Sequence, residues 1–165
     1  MKKKNLILLI AFFVLLATAC SDDSEVDTTK PTIDINFEDA FPKNCETIYF
    51  GETFVLKLRF SDNVELGSYS IDIHNNFDHH SHSTEVTECD LDPVKEPVIP
   101  FVYIEDYSIP TGLKEYETNI SISIPSENEG VLLDEGDYHF FISLTDKEGW
   151  STQKGLSIKM LHRQN

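Results

Sequence analysis

The sequence predicts an all-β chain: an immunoglobulin-like antiparallel β-sandwich of about seven strands, with a His-rich insertion after strand C. Three observations predict it. No segment beyond the N-terminal apolar run holds a helical period. Short runs that alternate apolar and polar residues recur instead. Clusters of Pro, Gly, Asn and Asp separate those runs.

Strand A is Thr32 to Phe37, which alternates and follows Pro31. Strand B is Thr53 to Phe60, with Phe54, Leu56, Leu58 and Phe60 on one face. The turn Ser61-Asp62-Asn63 leads towards strand C, Ser68 to His74. There Tyr69, Ile71 and Ile73 point inward, and Ser70, Asp72 and His74 outward. A polar segment runs from Asn75 to about Lys95, closed by Pro93, Pro97 and Pro100. Phe101 to Ile104 adds a further strand. Strand E lies within Tyr116 to Ile124 and stops at Pro125. Strand F is Asp137 to Thr145, with Tyr138, Phe140, Ile142 and Leu144 inward. After the turn Asp146-Lys147-Glu148-Gly149, strand G runs from about Lys154 to Leu161, with Leu156, Ile158 and Met160 in phase.

Before this domain, which spans residues 31–165, come two other segments. Residues 1–19 read as a lipoprotein signal peptide: Lys2 to Lys4 are basic, and Leu6 to Leu16 is apolar but too short to span a bilayer. Ala17-Thr18-Ala19-Cys20 resembles a bacterial lipobox, in which the Cys becomes the acylated first residue. An ordinary signal peptide cleaved after Ala19 is the other reading. Residues 20–30 are then the lipidated Cys20 and an acidic tether, whose Ser21-Asp22-Asp23-Ser24-Glu25 resembles a surface-export signal of Bacteroidetes-type lipoproteins. The expected location is the outer membrane, lipid-anchored and facing outward.

The chain carries 29 acidic and 13 basic residues, a formal charge of −16 with its His neutral. Such a balance repels phosphate backbones, so no nucleic-acid partner is expected. Cleavage before Cys20 removes three Lys and no acid, which leaves −19. Cys45 and Cys89 then remain as an even pair, which reads as one disulfide in an exported domain.

Four of the six His lie between residues 74 and 82: His74, His79, His80 and His82. Glu85 and Glu88 follow closely. Imidazole and carboxylate suit zinc, and imidazole also suits copper and, less well here, nickel. Strands C and F are antiparallel neighbours in this fold. If their far turns are level, with Gly67 opposite Asp146, His74 falls opposite His139 on the outward face. A one-residue slip would destroy that pairing. Cys45 lies in the A–B connection and Cys89 just after the His-rich segment, so their bridge would pin the loop's far end. The expected metal set is therefore His74, His79, His80, His82, His139 and Glu85. A merely solvated polar loop is the competing reading, and His162 is assigned to the surface. The B–C and F–G turns look like those of bacterial immunoglobulin-like and cadherin-like domains. Calcium at Asp62, Asn63 and Asp146 is one reading of them. Asx side chains capping their own backbone is the other.

The string from Ile71 to Thr84 (IDIHNNFDHHSHST), with Gly136-Asp137-Tyr138-His139-Phe140 later, resembles an uncharacterised family of Bacteroidetes-type lipoproteins, the domain of unknown function 4625. The resemblance runs from Lys30 to Leu161. It implies a surface or periplasmic lipoprotein with an immunoglobulin-like fold, and no activity.

The leading functional expectation is a lipid-anchored protein that captures, buffers or delivers a divalent transition metal, with an outer-membrane transporter as the receiving partner. The alternative is an adhesion or glycan-binding module, for which Trp150, Tyr103 and Tyr107 would have to form an aromatic platform. An enzyme is not expected, because no nucleophile elbow, zinc-protease helix motif or phosphate loop is present in the sequence.

Overall fold

The computed structural model describes residues 26–81 and 89–164, so Cys20, His82 and Glu85 lie outside the described residues. The described residues form strands and no helix, and none of their elements is a helix long and apolar enough to cross a membrane. In order the strands are β1 (Thr32–Asp34), β2 (Thr47–Tyr49), β3 (Thr53–Leu56), β4 (Arg59–Ser61), β5 (Leu66–Asn75) and β6 (Tyr103–Ser108). Then come β7 (Glu115–Glu117), β8 (Ile120–Ser123), β9 (Glu127–Asn128), β10 (Val131–Leu132), β11 (Gly136–Asp146) and β12 (Ser151–Leu161).

These twelve segments exceed the seven expected strands because two of those are interrupted and because β2, β9 and β10 are additional. Predicted strand B is split into β3 and β4, and strand E into β8 and β7. Thr118 explains the break: its hydroxyl donates to the Leu56 carbonyl at 2.9 Å and accepts from the Leu58 amide at 2.8 Å. A side chain thereby replaces one rung of the ladder. Lys57 exchanges its backbone bonds with Phe41 instead. The pairing resumes in phase on both sides, with Leu56 opposite Ile120 and Arg59 opposite Glu117.

One face of the sandwich is therefore β1-β4-β7 continued by β3-β8, and the other is the five-stranded sheet β2-β12-β11-β5-β6. This is immunoglobulin-like order, with the segment Tyr103–Ser108 on the free edge of β5. The pairing is not antiparallel throughout: β2 runs parallel to β12, because Thr47 to Tyr49 leaves the first sheet to cover the edge of the second.

The core forms where the inward positions of both sheets meet. Leu56, Leu58 and Phe60 from one sheet join Ile71, Ile73, Phe140, Ile142, Leu144 and Leu156 from the other. Phe54 packs on Phe140 and Phe60 on Tyr69 across the gap, at ring separations of 6.4 and 5.0 Å. Each fully buried aliphatic side chain stabilises the fold by about 1.5–3 kcal/mol. Cys45 and Cys89 are disulfide-bonded, 44 residues apart in sequence. The bridge ties the β1–β2 connection to the segment that follows the His-rich run.

Candidate metal centre

Two long strands carry the site. β5 and β11 pair from Asn75↔Tyr138 to Ser68↔Thr145 without interruption, and His74 and His139 are direct partners. Beyond Thr145 the register shifts: Leu66, not Gly67, pairs with Asp146. The expectation that Gly67 stands opposite Asp146 is therefore corrected by a bulge at the far end. The bulge lies outside the run that sets the histidine pairing.

The chain leaving β5 folds back over the outward face. The Asn76 amide donates to the Asp137 carbonyl at 2.8 Å, and Phe77 is buried edge-on against Tyr138 at 5.3 Å. Burial of Phe77 anchors the turn, and His79 closes it in a left-handed conformation at φ 58°. His80 then lies above β11. Its ring is stacked on His74 at 5.7 Å and edge-on to His139 at 4.7 Å. His74 and His139 are 5.2 Å apart. His139, expected to be an exposed outward residue, is fully buried, because the loop carrying His80 covers it.

One ring nitrogen from each of His74, His80 and His139 lies within 4.8 Å of the other two. Neighbouring acceptors assign a tautomer to each neutral ring. His74 Nδ1 donates to Asp72 Oδ1 at 2.8 Å, so Nε2 carries its lone pair. His80 Nδ1 donates to Asp78 Oδ1, again leaving Nε2 as the basic atom. That bond holds the Asp78 carboxyl below the ordinary carboxylate range. His139 Nε2 donates to the His80 carbonyl at 3.1 Å, so Nδ1 is its basic nitrogen. Two carboxylates behind two imidazoles form the oriented carboxylate–histidine arrangement common at metal sites.

His79 is not part of this set. The left-handed turn sends its side chain away from the cluster, and its Nε2 donates to the Asp92 carbonyl at 2.8 Å. It instead joins the two ends of the His-rich segment. The disulfide lies one strand away: Cys45 donates its amide to the carbonyl of Ser157, and Ser157 is the β12 partner of His139. His162, assigned to the surface, donates Nε2 to the Leu133 carbonyl at 3.0 Å and packs on Phe50 at 4.9 Å.

At the opposite pole Asp62 and Asp146 do approach each other, but Asn63 takes another role: its amide donates to Asp27 Oδ1 at 2.9 Å. Asp27, counted with the acidic tether, is only 8% exposed. Sequence pattern offered no signal for it, since one Asp in an acidic run resembles the rest. Of the aromatic residues considered as a platform, Tyr103 and Tyr107 are half-buried, while Trp150 is 40% exposed but tethered. The hydroxyls of Tyr103 and Tyr107 bond to each other at 2.6 Å, and Tyr107 stacks on Tyr69 at 4.9 Å. The Trp150 indole donates to the Asp27 carbonyl.

Comparison with curated proteins finds no match. Among solved structures, the sporulation control protein Spo0M from Bacillus subtilis is similar over 81% of this chain and 49% of its own, at 9% identity and a TM-score of 0.37. The chain thus spans about half the length of that protein. Residues 18–161 match the family described as Domain of unknown function (DUF4625), and this chain belongs to that family.

Proposed function

We propose that this protein is a lipid-anchored, surface-facing protein that binds a divalent transition metal, zinc or copper, through His74, His80 and His139. One observation carries the reading: three imidazoles from two paired strands and one loop converge, each with its tautomer fixed by a hydrogen bond. Tetrahedral zinc holds its nitrogen ligands roughly 3.3 Å apart, within reach of this cluster by small rotations.

The rims differ. His139 is fully buried, whereas the His80 side chain is 38% exposed. A site with one exposed ligand on a loop suits exchange, and so capture, buffering or delivery to an outer-membrane transporter. The acidic surface attracts the cation and repels anions.

Calorimetric titration of Zn²⁺ and Cu²⁺ at pH 7.5 tests the reading. Micromolar or tighter binding, weakened at least about tenfold in His80→Ala and His139→Ala, is the expected result. No binding, or unchanged binding in both variants, overturns it.

A further inference from the structure

A cluster of three carboxylates lies at the opposite pole from the histidines. Asp27 stands in the lead-in to β1, Asp62 in the β4–β5 turn, and Asp146 at the end of β11. One carboxylate oxygen from each lies within 4.8 Å of the others. Asp27 and Asp146 are 8% and 4% exposed.

Each carboxylate has one oxygen held by local donors. Asp27 Oδ1 accepts from the Thr29 amide and the Asn63 side chain, both at 2.9 Å. Asp62 Oδ2 accepts from the amides of Val64 and Glu65 at 2.7 and 2.8 Å. Asp146 Oδ1 accepts from the Trp150 amide at 2.8 Å. The second oxygen of each is buried and accepts no hydrogen bond: Asp27 Oδ2, Asp62 Oδ1 and Asp146 Oδ2. No Lys or Arg forms an ion pair with any of the three among the described residues. Three buried, unpartnered acceptors on three adjacent carboxylates are costly unless something positive lies between them.

We propose that these three oxygens bind a hard divalent cation, calcium, which clips the lead-in of the chain to the two turns. The donor set is all oxygen, which suits calcium and not a soft or borderline metal. Calcium takes six to eight oxygens, so backbone carbonyls and water complete the shell, and an affinity of about 0.1–1 mM follows for so few protein ligands. The ion would fix the direction from which the chain joins the sandwich, because Asp27 alone belongs to the lead-in. This site shares no residue with the histidine cluster, so either can fail without the other.

Trp150 is the chain's sole tryptophan, and it bonds both flanks of the site: its indole to the Asp27 carbonyl at 2.8 Å, its amide to Asp146. Its fluorescence is a direct reporter. Calcium titrated into chelator-stripped protein should give a saturable emission change with half-saturation at about 0.1–1 mM. About 5 mM calcium should raise the melting temperature by on the order of 5 °C. Asp146→Asn and Asp27→Asn should each weaken binding at least about tenfold while leaving zinc binding unchanged. Asp27→Asn keeps the test valid if Asp146→Asn fails to fold, since residue 27 lies outside every strand. A flat titration to about 10 mM calcium in folded protein, or an undiminished response in the folded variants, overturns the proposal.

Discussion

His74 and His139 are direct cross-strand partners on β5 and β11, with their rings 5.2 Å apart. Both occupy outward positions, one step out of phase with the core residues Ile73 and Phe140, which also pair with each other. Burial of that apolar set sets the register, since a one-residue slip would expose all of it. The histidine pairing is thus a by-product of core packing. Asp72 orients one of these rings and the returning loop brings His80 beside both, which makes a cluster that could hold a metal ion.

Asp72→Asn tests whether orientation matters apart from fold. Asp72 meets the site at His74 Nδ1 and is partly exposed. Zinc affinity should fall by about 10- to 100-fold, because the amide no longer enforces the tautomer. Unfolding free energy should change by less than about 0.5 kcal/mol. Calorimetry and urea melts read the two effects separately.

Removal of the disulfide should cost stability and loosen the proposed metal site together. A bridge across 44 residues restricts the unfolded chain by about 4 kcal/mol in the chain-entropy account. The Cys45→Ser, Cys89→Ser double variant should lose roughly that much in a denaturant melt. Its zinc affinity should also weaken, since the far end of the segment bearing His80 would keep only non-covalent ties, such as the bond from His79 to the Asp92 carbonyl. An unchanged dissociation constant would show that Phe77 and His79 hold the loop unaided.

Gly67→Ala should destabilise the protein by about 1–3 kcal/mol. A Cβ there would stand 2.7 Å from the Asp146 carbonyl oxygen and 2.8 Å from that of Thr145. Both obstacles are backbone, so the bulge itself would have to move. Thermal melts measure the loss. Zinc binding in the variant, still folded, should be unchanged, because the pairs from Ser68↔Thr145 to Asn75↔Tyr138 lie beyond the disturbance.

The acid limb of stability should report the pair between Glu52 and Arg163. Arg163 bonds both Glu52 oxygens, at 2.7 and 3.2 Å, and holds that carboxyl below its ordinary value. A depressed folded-state pKa means that the contribution is present above the unfolded value near 4.5 and is lost as pH falls through the lower folded value. Arg163→Ala should therefore lower the melting temperature at pH 7 slightly, and by less at pH about 3, where the Glu52 pair is weakened while the stack of Arg163 on Tyr49 still counts. Equal differences at both pH values would contradict this.

Much of the fold was legible because alternation reports burial directly. Tyr69, Ile71, Ile73, Tyr138, Phe140, Ile142 and Leu144, all expected inward, are all buried. The division of strand B was not legible, since it depends on where the Thr118 hydroxyl lies, 60 residues away from Leu58. The histidine cluster was legible in part. His74 and His139 follow from register, but His79 and His80 are adjacent in sequence and identical in type. Only the left-handed turn at His79 separates the ring that reaches the cluster from the ring that bonds Asp92.

The sequence by itself determined the main strands, their inward faces and the Cys45–Cys89 bridge, because each follows from a period of two or from counting; it offered the opposition of His74 and His139 only on an assumed register, whose starting pair of Gly67 with Asp146 the bulge replaces. The tertiary structure alone decided that His139 is buried, that His80 rather than His79 joins it, and that Asp27 meets Asp62 and Asp146. Those outcomes depend on how loops fold back over a finished sheet. A loop's path is set by a few specific contacts, such as Phe77 on Tyr138 and Trp150 on Asp27, and no periodicity along the chain encodes them.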